Sequence, residues 1–267
     1  MIQVILELFN QLFANTISYL YAMPEAPQIR LLVEKLKPFI GEKILSATAL
    51  TNVLDLKRLE GQTLKDIKVF GKQILLILPN FTVRIHLMLF GYVHVNESKP
   101  EGKLRLGLKF DDREINFYAS DIYYIEEPLE QVFNWTTDVM SPEWDANQAL
   151  KKLDDYGDDV ISDVLIDQDI FNGLGNKGVN EVLYRTKVHP GSFVNALPIA
   201  KRKEIVEEAV QFSFDYYKWA SEGTAKDKFQ VYLKKKCPVH GTPLRHEKIG
   251  SNGRKCHFCD ECQKLYM

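Results

Sequence analysis

Apolar positions follow three successive patterns along the chain. Over 1–22, Ile2, Ile5, Leu6, Phe9, Phe13, Ile17 and Leu20 recur at the helical period. Glu7, Asn10, Gln11 and Asn15 interrupt this leader, which argues against a membrane span, and it lacks the basic start of a signal peptide. A helix is expected over 28–36, stopped by Pro38 and Gly41. Short apolar runs follow: "KILSATAL", "LKDIKVFG", "QILLILP", "TVRIHLML", "YVHV", "LRLGLKF" and "EINFYA". Bounded by Asn, Asp, Gly and Pro, they predict an antiparallel β-sandwich as far as Glu127. The helical period returns after Pro128. "SPEWDANQALKKL" begins with a Ser cap and Pro142 at the first helical position; "DDVISDVLIDQ", "NKGVNEVLYRT" and "IAKRKEIVEEAVQFSFDYYKWA" continue as helices. From Lys234 the chain is rich in Cys, basic residues and turns. The expected fold is α+β and multidomain: a leader over 1–22, a β-sandwich over 23–127, a helical domain over 128–233 and a small Cys/His domain over 234–267.

Composition sharpens this outline. A hydrophobic content of 45% over 267 residues is enough to fill a sizeable core. The net charge of -2 does not mark a nucleic-acid binder, but its distribution is uneven. From Lys201 onward 14 Lys and Arg face 9 Asp and Glu, so this part is +5 and the remainder -7. A basic module on an acidic body suits local phosphate binding. All four cysteines, Cys237, Cys256, Cys259 and Cys262, lie near the end of the chain. That placement points to a metal site in a reducing compartment rather than a disulfide scaffold. With no other targeting segment, the expected location is the cytoplasm or nucleoid, with no membrane partner.

The last segment reads "CPVHGTPLRHEKIGSNGRKCHFCDECQ". Cys237-x2-His240 and Cys259-x2-Cys262 are two half-sites with about 18 residues between them. Four such ligands suit one tetrahedral Zn²⁺ in a closed structural site, one that would hold a β-hairpin displaying Arg254. Cys256 and His257 lie close enough to compete as ligands, while His246 and His257 read as surface residues.

The segment 165–190, "LIDQDIFNGLGNKGVNEVLYRTKVHP", is the most informative. Gly173 and Gly175 permit close backbone approach, and Asn176 opens a helix whose free amides suit a phosphate. Alone, it reads better as an ordinary Asn-capped turn between helices. Four pieces in order are more specific: "MPEAP" at 23–27, "GKQILLIL" at 71–78, "DQ...GLGN...NE.L.R...HP" in the helices, and "C..HG...GR....C..CQ" at the end. Together they resemble the formamidopyrimidine-DNA glycosylase/endonuclease VIII family, over nearly the whole chain from Met23.

The resemblance implies a β-sandwich, a helix-two-turn-helix domain and a zinc finger, acting as a monomer on damaged double-stranded DNA. It implies excision of oxidised bases and cleavage of the resulting abasic site. In the family, Met is removed from Met-Pro-Glu and the free Pro amine attacks the sugar C1′. Carried over, Pro24 is the nucleophile and Glu25 the acid/base. Lys72 contacts phosphate and assists elimination. Asn176 and Arg254 contact phosphates, and Arg254 serves the second elimination. Leu89, in His86-Leu87-Met88-Leu89-Phe90-Gly91, stands where a Met fills the gap left by the flipped base.

The departures are specific. With residues 1–22 in place, the Pro24 nitrogen is an amide without a usable lone pair. The implied chemistry then requires a start at Met23 or cleavage after Ala22 or Met23. A retained leader implies a protein that binds lesions without cutting. Gln28 stands where the family often has a carboxylate. "FYASDIYYIEE" replaces the "DPRRFG"-like segment, leaving Tyr123 and Tyr124 as candidates for base stacking. "SEGTAKDKFQVYLKKK" is short where 8-oxoguanine excisers have a longer loop, so oxidised pyrimidines, ring-opened purines and bare abasic sites are comparable substrates.

Overall fold

In the computed structural model, residues 24–50, 54–97 and 104–267 are described. The leader and its expected amphipathic helix lie outside them. The described residues fall into two compact units. One contains Leu32–Val69 and Gln73–Pro128; the other contains Glu25–Leu31, Phe70–Lys72 and Leu129–Met267.

The first helix, α1 (Ala26–Leu36), starts two residues earlier than the periodicity predicts. Strands β1 (Ser46–Thr48), β2 (Asp66–Phe70), β3 (Gln73–Ile77), β4 (Thr82–Val95), β5 (Leu104–Lys109) and β6 (Glu114–Ile125) follow. They form one six-stranded sheet in the order β1-β5-β6-β4-β3-β2, with antiparallel pairing at β1·β5, β5·β6, β6·β4 and β4·β3. The two runs "TVRIHLML" and "YVHV" are a single strand, β4, whose register against β6 shifts between Leu87 and Tyr92. Extra residues in one strand of a pair make a bulge. Phe90 takes φ 66° there. Gly91 permits it, because a Cβ would lie 2.8 Å from Ala119 O and 2.9 Å from Met88 N. β6 runs on through "SDIYYI", beyond the expected "EINFYA". Ile74, Val83, Ile85, Leu106, Ile115 and Phe117 are fully buried in this unit.

The second unit holds α2 (Leu129–Val132), α3 (Ala146–Asp155), α4 (Ile161–Val164), α5 (Asn176–Arg185), α6 (Ile199–Ser221) and α7 (Ala225–Lys228), then the hairpin β7 (Arg245–Ile249) and β8 (Arg254–Phe258). Ser141 and Pro142 do not start α3. Asp145 caps it, accepting from Asn147 N at 2.9 Å and Gln148 N at 3.1 Å. A single oxygen, Asp145 Oδ1, accepts both amides, while Ser141 Oγ accepts Glu143 N in the turn before the helix. α5 is buried from Lys177 to Tyr184 and runs through the centre of this unit. Phe171, Leu174, Val182, Leu183, Ile205 and Phe212 pack in the same core. The carboxylate of Glu181, fully buried on α5, accepts the backbone N–H of Gln230, Val231 and Tyr232 at 2.8–3.0 Å. This ties the segment leading into the Cys/His domain to the central helix. Among the described residues, no helix is long and apolar enough to cross a membrane.

Candidate functional site

Glu25 directly follows Pro24, and both are buried. The Glu25 carboxylate sits on the first turn of α5. Lys177 N donates to Oε1 at 2.8 Å and Gly178 N to Oε2 at 3.2 Å. Unpaired amides and the positive end of the helix dipole favour an anion at this place. Gly175 makes the approach possible, since a Cβ on it would lie 2.5 Å from three Glu25 side-chain atoms. Gly173, at φ +101°, leaves room for Ala26, whose N–H donates to Gly173 O at 3.1 Å. Two of the amides expected to be free for a phosphate, those of Lys177 and Gly178, are instead held by the protein's own carboxylate.

Lys72 is the second residue of the two-residue link between β2 and β3. Read alone it resembles a solvated strand residue; instead it is half-buried at a turn. The turn is fixed by Asp138, which is fully buried and accepts from Gly71 N at 3.0 Å, Arg30 Nη2 at 3.0 Å and Met140 N at 2.9 Å. Burial lowers the Lys72 pKa to about 8. Arg254 and Lys177 push it the same way, and Glu25 opposes them. Lys72, Glu25, Lys177 and Arg254 thus form one electrostatic cluster. An amine so placed is about half neutral at pH 8, and available for proton transfer.

Arg254 is exposed at the start of β8, paired with Ile249. Three contacts fasten its hairpin to the helices. Asp163 on α4 accepts from Ser251 N at 2.6 Å and Ser251 Oγ at 2.9 Å. Asn176 Nδ2 donates to Lys255 O at 3.1 Å. Asn180 Oδ1 accepts from His257 N. Asn176 therefore lies beside the hairpin that carries Arg254, one residue away from the Lys177 amide that holds Glu25.

Cys237, His240, Cys259 and Cys262 converge, with one ligand atom from each lying within 4.8 Å of the others. The Cys237–Cys262 sulfur separation is 3.6 Å. His240 Nδ1 lies 3.8, 3.8 and 3.4 Å from the sulfurs of Cys237, Cys259 and Cys262. Tetrahedral zinc requires S···S edges of about 3.8 Å and S···N edges of about 3.6 Å, from bond lengths near 2.3 and 2.05 Å. The donor set and its spacing fit that ion. The Tyr184 hydroxyl lies 3.4 Å from the Cys237 sulfur and 3.6 Å from that of Cys262, where it can donate to thiolate ligands. Cys256 stands outside the group; its thiol donates to Arg254 O at 3.8 Å, and burial pushes its pKa up to about 11. His257 also stands outside. It is buried rather than on the surface, with its ring against Tyr232 and His246.

Comparison with known proteins bears on this arrangement. A profile of the formamidopyrimidine-DNA glycosylase N-terminal domain matches residues 23–120. The formamidopyrimidine-DNA glycosylase of Lactobacillus helveticus is 28% identical over 292 residues, covering 91% of this chain and all of that protein. These findings support the formamidopyrimidine-DNA glycosylase/endonuclease VIII family. The Endonuclease 8-like 3 protein of Mus musculus is 25% identical over 217 residues, 78% of this chain; the chain spans 36% of that longer relative. A Lactococcus lactis formamidopyrimidine-DNA glycosylase, solved non-covalently bound to DNA containing an AP site, superposes with a TM-score of 0.80. It is 24% identical and covers 90% of this chain and 99% of its own, a likeness that establishes the fold.

Leu89 is 54% exposed, and its neighbours Met88 and Phe90 are 45% and 57% exposed. All three ride on the β4 bulge. Tyr124 is fastened in its own unit, its hydroxyl donating to Asp55 O at 2.8 Å and its ring lying against Phe81. Tyr123 is exposed and carries the Arg84 guanidinium 4.5 Å above its ring. Sequence reasoning missed Lys177, Asp138, Asp163 and Tyr184. Each acts on a residue far along the chain, and no local spacing signals such a contact.

Proposed function

We propose that the protein is a base-excision DNA glycosylase with abasic-site lyase activity, acting as a monomer on oxidised bases in double-stranded DNA. The observation that carries this reading is the seating of Glu25, next to Pro24, on the α5 N-terminus within the charge cluster of Lys72 and Arg254. The family supports glycosylase chemistry, and the solved neighbour bound to AP-site DNA supports the substrate class. In this reading a free Pro24 amine attacks C1′ of the damaged nucleotide. The base leaves and a Schiff base forms on the opened sugar. The Glu25 carboxylate, held in place by two amides, moves protons at the sugar. Lys72 and Arg254 hold the flanking phosphates and assist elimination, with Asn176 beside them. Leu89 fills the gap left by the extruded nucleotide. Cys237, His240, Cys259 and Cys262 would hold one zinc ion, which supplies structure to the Arg254 hairpin and no chemistry.

A second reading rests on a retained leader. The Pro24 nitrogen is then an amide, and the same protein binds lesions without cutting them. Borohydride trapping on an abasic-site oligonucleotide separates the two. It compares the 267-residue chain with one starting at Met23, each N-terminus confirmed by intact mass. An adduct only with the shorter chain supports the Pro24 lyase. Absence of an adduct from both, with DNA binding intact, rejects it in favour of the silent lesion binder.

A further inference from the structure

Tyr184 lies in the last turn of α5 and is fully buried. Its ring packs with Val231, Leu244, Cys237 and Cys259 in an apolar cluster, with Cys262 against it. A phenylalanine would fill that space as well. The hydroxyl adds what a bare ring cannot: it reaches into the ligand group, 3.4 Å from the Cys237 sulfur and 3.6 Å from the Cys262 sulfur. The Lys187 ammonium, just past the end of α5, lies 4.3 Å over the centroid of the same ring. A cation there draws charge from the phenol and strengthens its hydroxyl as a donor.

A buried hydroxyl needs a partner. A neutral thiol is a weak acceptor and a thiolate a strong one. Metal binding turns the thiols into thiolates. Three thiolates and a neutral imidazole around Zn²⁺ leave a net charge of about -1. Cys237 and Cys259 are buried, so that charge is shut away from water and has to be met by donors of the protein. The backbone N–H groups of Val239 and His240 meet the Cys237 sulfur from the chain that carries it. Tyr184 meets the sulfurs of Cys237 and Cys262 from the opposite partner, the central helix.

We propose that Tyr184 is a positioning residue of the metal site: its hydroxyl donates to the Cys237 and Cys262 thiolates, retains the ion and fastens it to α5. This rests on the reading that the four ligands hold one zinc ion. It gives the ion an attachment to the helix as well as to its own turns. That helix is the one whose first turn seats Glu25.

The test compares the full chain with Tyr184→Phe, which removes the hydroxyl and keeps the ring. Zinc affinity is read by competition with a chromophoric chelator, and the variant should bind zinc about 10–100-fold more weakly. Cobalt(II) in place of zinc supplies a spectroscopic readout. Sulfur freed of the hydroxyl donates more charge to the metal, so the sulfur-to-cobalt charge-transfer band should move to longer wavelength. The ligand-field bands of a tetrahedral site should stay, which a general loosening of the packing would not allow. An affinity within about twofold of the parent, or an unmoved charge-transfer band, overturns the proposal. If Tyr184→Phe does not fold, the unaltered chain loaded with cadmium decides. Its Tyr184 hydroxyl proton should couple to the metal through the sulfur in the NMR spectrum, and absence of that coupling overturns the proposal. A parent chain that binds no zinc overturns the zinc reading together with this one. A parent that binds zinc, beside a variant that binds it equally well, overturns the role of Tyr184 alone.

Discussion

Replacing Lys72 by methionine should stabilise the folded protein while removing its chemistry. The Lys72 pKa falls from 10.5 to about 8 on folding, chiefly through burial. At about 1.36 kcal/mol per unit, holding the ammonium in that place costs about 3 kcal/mol. Below pH 8 Lys72 is protonated in both folded and unfolded chains, so the full penalty is present. Between pH 8 and 10.5 the unfolded chain binds more protons than the folded one, and stability rises with pH. Above 10.5 both states are neutral and the penalty is gone. Methionine keeps the length and most of the stem packing but carries no charge. Lys72→Met should therefore exceed the parent in stability by about 2–3 kcal/mol at pH 7, the gap closing as the pH approaches 10.5. The assay is paired urea unfolding of the two zinc-loaded chains at pH 7 and pH 10. The difference between the chains cancels the titrating groups that do not interact with Lys72. A variant less stable than the parent at pH 7, or a gap unchanged between the two pH values, would refute the argument. Borohydride trapping by the same variant should fall at least tenfold, which separates stability from function.

Three further outcomes follow from the geometry. Gly175→Ala should push Glu25 off the α5 amides, since its Cβ would meet that side chain at 2.5 Å. We expect about 1–3 kcal/mol of destabilisation and a lyase rate at least tenfold lower; parent-like kinetics would show that the carboxylate's seat does not matter. Glu181→Ala orphans the amides of Gln230, Val231 and Tyr232 and should cost about 3 kcal/mol in urea unfolding. A loss below about 1 kcal/mol would mean water replaces the carboxylate. Arg254→Ala should weaken DNA binding and lower the salt slope by about one ion. Equal affinity and slope across salt concentrations would remove Arg254 from the phosphate contacts.

What was legible in the sequence depended on the reach of each contact. The Cys237-x2-His240 and Cys259-x2-Cys262 pairs were readable because each is made by one local turn. The strands and long helices were readable because a buried face repeats with their period. The Ser141 cap failed on a local competition, in which Asp145, an equally good cap, lies four residues nearer the apolar run. Misreading His257 as a surface residue had another cause: a polar residue in a strand says nothing about the helix packed over it. The contacts that build the candidate site span far longer separations: Glu25 to Lys177, Gly71 to Asp138, Asp163 to Ser251. Only the folded chain decides them. They also change the reading of the Gly-Leu-Gly-Asn turn. The α5 amides of Lys177 and Gly178 are held by Glu25 and are not open to a DNA phosphate. In the proposed function, phosphate affinity then falls on Asn176 and on the cations Lys72 and Arg254. One of these has its charge weakened by burial and by Lys177, and Lys72 should therefore lose its grip on phosphate as the pH rises through 8, while Arg254 keeps its own.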